Sequence, residues 1–325
     1  MGTPEGFKRK VIIVDKSFQM RFVKKFVFIT LAGTLLSLLI ILGFYYFTYK
    51  YGGKDLSRYL VEIGLGEGLD VNTKDNHGEI PLHLVSSEKV AGLLIDLGSN
   101  INVQNNAGNT PLHFMAEKGR LNIAAILIDR GAKVDIPNME GFSPLEVFKR
   151  TFKASDLHWW AGIGNIEAVI ALGGKQKLDL NQKDKDGNTP LHYASFYRKI
   201  ECSGILKELG TDLSLKNNEG QTAIDVYNKK YASTELHWWT ELDDLKKVSV
   251  LVLENKADFN AQDSDGRTPL QIAAIHGNKE ILKFLLLQGA DPKIADKEGK
   301  NAYSYAKENY NDESLRILYC KGDCK

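Results

Sequence analysis

The sequence predicts an all-α fold, a solenoid of helix pairs joined by short β-hairpin fingers and preceded by one transmembrane helix. Two observations support this prediction: an uncharged apolar run near the N-terminus and, after it, a block of sequence that recurs at a constant spacing. A chain of 325 residues is long enough for a repeat array beside a small accessory segment. Lys plus Arg (42) almost balances Asp plus Glu (41), so a basic field that would attract nucleic acid is not expected.

The apolar run extends over residues 26–48 and has no charged side chain. At about 1.5 Å per residue, a helix of this length reaches roughly 35 Å, which exceeds a hydrocarbon core of about 30 Å. A cleaved signal peptide is the alternative, but the apolar part of a signal peptide is usually about 7–15 residues long. We therefore expect a retained helix that contacts the lipid bilayer through residues 26–48.

The distribution of charge predicts the orientation of this helix. Residues 1–25 carry seven Lys and Arg, whereas residues 49–64 carry three. Because positive charge tends to stay inside, the basic tail 1–25 is expected in the cytoplasm and the rest of the chain outside. Residues 49–54 then form a juxtamembrane linker. The sequence contains no Asn-x-Ser/Thr sequon, which favours a bacterial inner membrane with the solenoid in the periplasm.

A repeat with two periods occupies the rest of the chain. The segments TPLH, TPLH and TPLQ begin at Thr110, Thr189 and Thr268, which are equally spaced, and two LHWW segments begin at Leu157 and Leu236 with the same spacing. Each of these long repeats divides further into steps of about 33, about 12 and about 34 positions. Threonine suits a helix N-cap and proline the first helical turn, so we expect a helix to begin at each TPL segment.

These segments resemble the ankyrin repeat, whose unit of about 33 residues contains Thr-Pro-Leu-His. The resemblance extends over residues 55–319 and is clearest in DGNTPLHYAS, from Asp186, and in the stretch from Asp265 to Gly299. It implies a unit of hairpin, helix and helix that binds a protein partner and needs no cofactor. Residues 320–325 are assigned to a C-terminal tail.

Two longer blocks depart from the family pattern: one runs from Pro144 to Pro190, and the other is its copy one long repeat later. Each block is expected to contain three helices and to lack one finger. Trp160 and Trp239 lie in these blocks at positions where the family usually has alanine. Because a tryptophan needs space that regular stacking does not leave, we expect the missing finger to provide it.

Five of the seven histidines share one repeat position: His83, His113, His158, His192 and His237. A metal site is the alternative to the ordinary use of this histidine in the family, a hydrogen bond at the helix start to the preceding turn, which we expect here. The Asp-x-Asp-Gly segments at Asp184 and Asp263 resemble part of a calcium loop, but the residues around them do not complete that motif. We therefore expect no metal.

Candidate partner-binding residues lie on the expected concave face and at the finger tips. They are Phe196, Tyr197, Ile275, His276, Trp159, Trp238, Lys185, Asp186, Asp265 and Arg267. Phe196 and Tyr197 follow the first helix of a unit, where exposed aromatic side chains indicate a contact with another molecule, although packing on a neighbouring helix is the alternative. Trp159 and Trp238 are assigned first to the core and second to a contact.

The predicted function is the capture of a protein partner on the concave face by a module held at the membrane. The alternative is a sensory or regulatory subunit that relays ligand engagement through the span to a separate cytoplasmic partner. The sequence shows no nucleophile motif and no phosphate-binding loop, so we do not expect an enzyme. Cys320 and Cys324 either close a small disulfide or remain two free thiols.

Overall fold

The computed structural model describes residues 70–176 and 178–321. These residues form helices and turns, and they contain no strand, so the all-α prediction is confirmed for this part of the chain. The predicted tail 1–25, span 26–48 and linker 49–54 lie outside the described residues, as does Cys324. Among residues 70–176 and 178–321, every helix is too short or too polar to cross a bilayer.

The chain divides after Thr151 into two compact units. The described helices of the first unit are a 3₁₀ helix (Pro81–Leu84), α1 (Glu88–Asp96), α2 (Pro111–Glu117), α3 (Leu121–Asp129) and α4 (Pro144–Phe152), whose last residue opens the second unit. The 3₁₀ helix packs on α2, and α1 packs on α3. Consecutive repeats therefore stack first helix on first helix and second helix on second helix.

Within the second unit the helices are stacked in the same way. Its described helices are α5 (Asp156–Ile163), α6 (Ile166–Val169, extended by a π-helical turn at Ile170–Lys175), α7 (Pro190–Phe196), α8 (Ile200–Glu208), α9 (Ala223–Tyr231), α10 (Glu235–Glu241), α11 (Leu245–Leu253), α12 (Pro269–His276), α13 (Lys279–Leu287), α14 (Ala302–Glu308) and α15 (Asp312–Tyr319). One row contains α5, α7, α9, α10, α12 and α14 in contact order. In the other row α6 packs on α8, α11 on α13, and α13 on α15. Helices begin at the prolines of all three TPL segments, as predicted.

The fingers between helix pairs are turns and not β-hairpins, which corrects the sequence prediction. In the finger before α7, Oδ1 of Asp184 accepts the backbone N–H groups of Asp186 (2.9 Å) and Asn188 (2.7 Å). The side chain thus accepts hydrogen bonds from N–H groups that a strand ladder would otherwise pair, so the finger is a tight turn without strands. The same side-chain bonds occur at Asp75, Asn105, Asn138, Asn217, Asp263 and Asp296.

Helix α9 has neither a second helix nor a finger after it, because the chain passes through residues 232–234 directly into α10. In place of the finger, the carbonyl of Tyr231 at the end of α9 accepts the backbone N–H of Ser264 (2.6 Å). The carbonyl of Phe152 accepts the N–H of Lys185 in the same way (3.0 Å). The interpretation of each longer block as three helices with one finger missing is thereby confirmed.

Trp239 fills the space beside the omitted elements, as predicted. It is 2% exposed, and its Nε1 donates to Oε1 of Glu235 (2.9 Å). The ammonium groups of Lys207 and Lys247 lie 5.5 and 5.4 Å from the centre of its ring. Lys207 also pairs with Asp244 (2.7 Å), so the end of α8 and the start of α11 are joined beside this tryptophan.

Candidate partner-binding surface

The repeated histidines link each helix start to two turns. Nδ1 of His192 accepts the backbone N–H of Thr189 (3.2 Å), so the ring proton lies on Nε2, which donates to the carbonyl of Gln221 in the next finger (3.0 Å). His83, His113, His158 and His237 make the same pair of bonds. The predicted bond at the helix start is confirmed. Among the described residues, no three His, Cys, Asp or Glu side chains come together as metal ligands.

Burial determines the charge state of these rings. Desolvation lowers the pKa of all five histidines below the ordinary value of 6.5. The neutral ring is also the form that the two hydrogen bonds require, because a protonated Nδ1 has no lone pair to accept an N–H. We conclude that these histidines link each helix start to the following finger.

Phe196 and Tyr197 form an aromatic pair at the C-terminal end of α7. The Phe196 side chain is exposed (41%), and its ring stands nearly perpendicular to the ring of Tyr197 at 4.9 Å between centroids. The Tyr197 ring is half-buried and lies 6.4 Å from the ring of Tyr193. An exposed aromatic surface is therefore present at the position that the sequence indicated.

Tyr193, one turn earlier in α7, packs beside the Tyr197 ring of this pair. Its hydroxyl donates to Oδ2 of Asp184 (2.8 Å) in the preceding finger. Burial, together with the Asp184 carboxylate, raises the pKa of Tyr193 far above its usual range. The phenol is therefore neutral at physiological pH, and its hydrogen bond links α7 to the preceding finger.

Helix α9 places two further side chains on the aromatic pair. Nζ of Lys230 lies 3.4 Å from the centroid of the Phe196 ring and 5.0 Å from that of Tyr197, and it donates to the Phe196 carbonyl (2.5 Å). The hydroxyl of Tyr231 donates to the same carbonyl (2.9 Å). The sequence analysis missed both residues, although Lys230 follows Tyr197 at the 33-residue spacing of one repeat. Phe196 is thus both exposed and packed against a neighbouring helix.

A charge cluster of Arg198, Glu241, Asp263, Asp265 and Arg267 lies beside these rings. Nε of Arg198 donates to Oε1 of Glu241 (2.9 Å), and its terminal nitrogens lie 3.7 Å from Asp263 and 3.6 Å from Asp265. Arg267 pairs with both aspartates. Because the carboxylates of Glu241 and Asp263 are buried, the cluster forms a fixed polar base, in which the predicted contact residues Asp265 and Arg267 bind each other.

Trp159 and Trp238 lie in the core. Both side chains are 0% exposed, and each stacks edge to face with the next tryptophan in its helix, Trp160 at 6.4 Å and Trp239 at 4.7 Å. The packing role assigned to them first therefore holds. The contact role is corrected, because a partner cannot reach a side chain enclosed by neighbouring helices.

The remaining predicted contact residues are at least partly accessible. Lys185 and Asp186 are exposed at a finger tip, where the Asp186 carbonyl accepts the N–H of Asn218 from the next finger (2.9 Å). His276 is exposed at the end of α12, and Ile275 before it is half-buried. These four residues stay predicted contacts of a partner.

Comparison with known proteins agrees with the fold. The family described as "Ankyrin repeats (3 copies)" matches residues 48–138 and 236–325, and the family described as "Ankyrin repeat" matches residues 186–218. These matches cover more than half of the sequence. The chain belongs to the ankyrin repeat family.

Several curated relatives are much longer proteins. An intracellular phospholipase A2 of Caenorhabditis elegans is 29% identical over 165 residues, which are 49% of this chain and 14% of that protein. An ankyrin repeat and LEM domain-containing protein 1 homolog of the same organism is 52% identical over 67 residues, 21% of this chain and 9% of that protein. The human neurogenic locus notch homolog protein 1 is 28% identical over 142 residues, 44% of this chain and 5% of that protein. These relatives are animal proteins, so they give no support to the expected bacterial source.

Proposed function

We propose that this chain is a protein-interaction module that captures a protein partner on the surface formed by the ends of α7 and α9. Ankyrin repeats suggest such a module in general. The observation that supports this particular surface is the aromatic pair Phe196 and Tyr197, in which Phe196 is exposed, Tyr197 lies beside the ring of Tyr193, and the Phe196 carbonyl accepts the hydroxyl of Tyr231.

The composition of the surface suits protein recognition. Aromatic side chains contribute large contact areas with few rotatable bonds, and they are enriched at the residues that dominate binding energy. The exposed charges of Lys185 and Asp186 at the finger tip are suited to a polar rim around such a centre. We assign no catalytic role to these residues, and the segment shared with the phospholipase A2 is only 14% of that protein.

The test is partner capture in intact cells by proximity labelling from the full chain. Tyr197→Ala should reduce labelling of the captured partners at least about tenfold, since truncating a central aromatic residue commonly costs ≥ about 2 kcal/mol of binding. Tyr319→Ala is the matched control, because this tyrosine is exposed (74%) at the end of α15 in the other helix row. Equal labelling by Tyr197→Ala and the wild type would refute the proposed surface.

We further propose that residues 26–48 anchor the module in a membrane with residues 1–25 in the cytoplasm and the repeats on the opposite side, which is the periplasm in a bacterial inner membrane. The support is the uncharged apolar run over these positions and the excess of Lys and Arg before it. Protease added to intact cells or spheroplasts should digest the repeats and spare the N-terminal tail. If the repeats resist the protease until the membrane is lysed, the proposed topology is wrong and the repeats lie in the cytoplasm.

A further inference from the structure

We propose that the rings of Phe196, Tyr197 and Tyr231, with the carbonyl oxygen of Phe196, form a site for a lysine side chain of the protein partner. In this structure Lys230 of the chain itself occupies that site. The inference rests on the proposed function and specifies the chemistry that the aromatic surface recognises.

The position of the Lys230 ammonium defines the site. Nζ lies 3.4, 5.0 and 5.5 Å from the centroids of Phe196, Tyr197 and Tyr231. All three distances fall within the range of about 6 Å over which a cation is attracted to an aromatic face. Three rings from the ends of two helices therefore lie within reach of one positive charge, and the Phe196 side chain is also exposed to solvent (41%).

The hydrogen bond at the site selects among cations. Nζ donates to the Phe196 carbonyl at 2.5 Å, and this bond requires an N–H on the ligand. A primary ammonium such as that of lysine can make this bond, whereas a quaternary ammonium cannot. The Tyr231 hydroxyl donates to the same oxygen, which holds the acceptor in position.

The surrounding charges favour a cation here. The neighbouring charge cluster contains three carboxylates against two guanidinium groups, so it carries one net negative charge. The guanidinium carbon of Arg198 lies 5.3 Å from the centre of the Tyr231 ring, but its charge is compensated by the buried carboxylate of Glu241. An ammonium group of a ligand would therefore be attracted by the aromatic faces, by the carbonyl oxygen and by the net negative charge of the cluster.

Lys230 competes with any external amine for this place. The side chain is exposed, so it can leave the site for solvent without unpacking the core. The affinity that a partner shows is then lowered by the fraction of molecules in which Lys230 has left. Because Lys230 makes a cation–π interaction and a hydrogen bond in the site, we expect it to weaken the binding of an external amine by about tenfold.

The probe is n-butylammonium chloride, which has the four carbons and the ammonium of a lysine side chain. It is titrated at constant ionic strength into the full chain, and binding is followed by the NMR shifts of the Phe and Tyr ring signals. Lys230→Ala should bind the probe saturably and about tenfold more tightly than the wild type. Lys229→Ala is the matched control, because Lys229 pairs with Glu219 (3.1 Å) and should leave the wild-type affinity unchanged.

Two further arms test the chemistry. Tetramethylammonium should bind Lys230→Ala at least about tenfold more weakly than n-butylammonium, because it cannot donate to the carbonyl. Adding Tyr197→Leu to Lys230→Ala should abolish saturable binding. Equal affinity of the probe for the wild type and Lys230→Ala, or binding that Tyr197→Leu leaves intact, would overturn the amine site.

Failure of this inference is distinguishable from failure of the proposed function. If Tyr197→Ala abolishes partner labelling while Lys230→Ala does not bind n-butylammonium, the interaction surface stands and the amine site is refuted. If the probe binds Lys230→Ala while Tyr197→Ala leaves labelling unchanged, the amine site stands and its assignment to a protein partner is refuted. Support for both requires that Lys230→Ala also increases partner labelling.

Discussion

Oε1 of Gln271 accepts the backbone N–H of Thr268 at 2.7 Å, and Nε2 of the same glutamine donates to the carbonyl of Lys300 in the following finger (2.8 Å). His192 makes the same two bonds in its own repeat, at 3.2 and 3.0 Å. Glutamine therefore reproduces the link between adjacent repeats with a side chain that does not titrate.

Acid should destabilise the protein through its linking histidines. Burial lowers the pKa of His192 and His237 below 6.5, so an unfolded ring takes up a proton at a pH where the folded ring stays neutral. The unfolded state then binds more protons than the folded state. The histidines therefore contribute their full stabilisation above about pH 6.5, and the free energy of unfolding decreases as the pH falls below that value. We expect the midpoint of thermal unfolding to drop between about pH 7.5 and about pH 5.5.

The combined variant His192→Gln and His237→Gln is the control for this prediction. Because Gln271 shows that glutamine can make both bonds, the variant should keep most of its stability at neutral pH. Its unfolding midpoint should depend less on pH than that of the wild type. A pH dependence as steep as that of the wild type would assign the effect to other groups.

The two tryptophans next to the missing fingers should differ in their contribution to stability. Trp239 is 2% exposed and hydrogen-bonded, so Trp239→Ala should lower the free energy of unfolding by about 3–5 kcal/mol. Trp160 is only half-buried, and Trp160→Ala should cost less. Chemical denaturation of both variants measures the difference, and equal losses would contradict the role assigned to burial.

Arg198 should be essential to the stability of the charge cluster. Arg198→Met leaves the buried carboxylate of Glu241 without its main partner, which should cost about 3–5 kcal/mol in urea unfolding. Replacing both residues, Arg198→Met with Glu241→Leu, should recover a large part of that loss. Lys229→Met is the comparison, since its pair with Glu219 is exposed and should be worth less than about 1 kcal/mol.

Glycine at the finger tip is required by the next finger. Gly187 has φ +79, and a Cβ there would lie 2.8 Å from the backbone nitrogen of Asn218. Gly187→Ala should therefore cost more than the ~1–2 kcal/mol of left-handed strain alone. Gly210 also has positive φ (+94) but has open space around it, so Gly210→Ala measures the strain without the clash. Equal unfolding free energies of the two variants would show that adjacent fingers separate easily.

The sequence was sufficient for features that depend on local chemistry. The helix starts at Pro111, Pro190 and Pro269 follow from proline after a threonine at the N-cap position, and the exposed Phe196 follows from its place in the repeat. The strands expected in the fingers are absent from the described residues because side chains such as that of Asp184 take the N–H groups, a competition that residue type alone does not decide.

Contacts between repeats were harder to predict. Lys230 approaches Phe196 because α9 packs directly on α7, and the distance between their side chains depends on how these two helices stack. The charge cluster likewise joins Arg198, at the end of α7, to Glu241, two first helices further along the row. The repeat spacing indicated which positions are equivalent, but not which of them touch.

The glutamine at position 271 has a consequence for the order in which repeats open. In a weakly acidic medium the hydrogen bonds of each linking histidine weaken, whereas the two hydrogen bonds of Gln271, between α12 and the finger before α14, keep their strength. Deuterium uptake by backbone amides should therefore rise first at the histidine-linked fingers and last at residues 296–300. A single non-ionising side chain would make this finger the most acid-resistant of those that the structure describes.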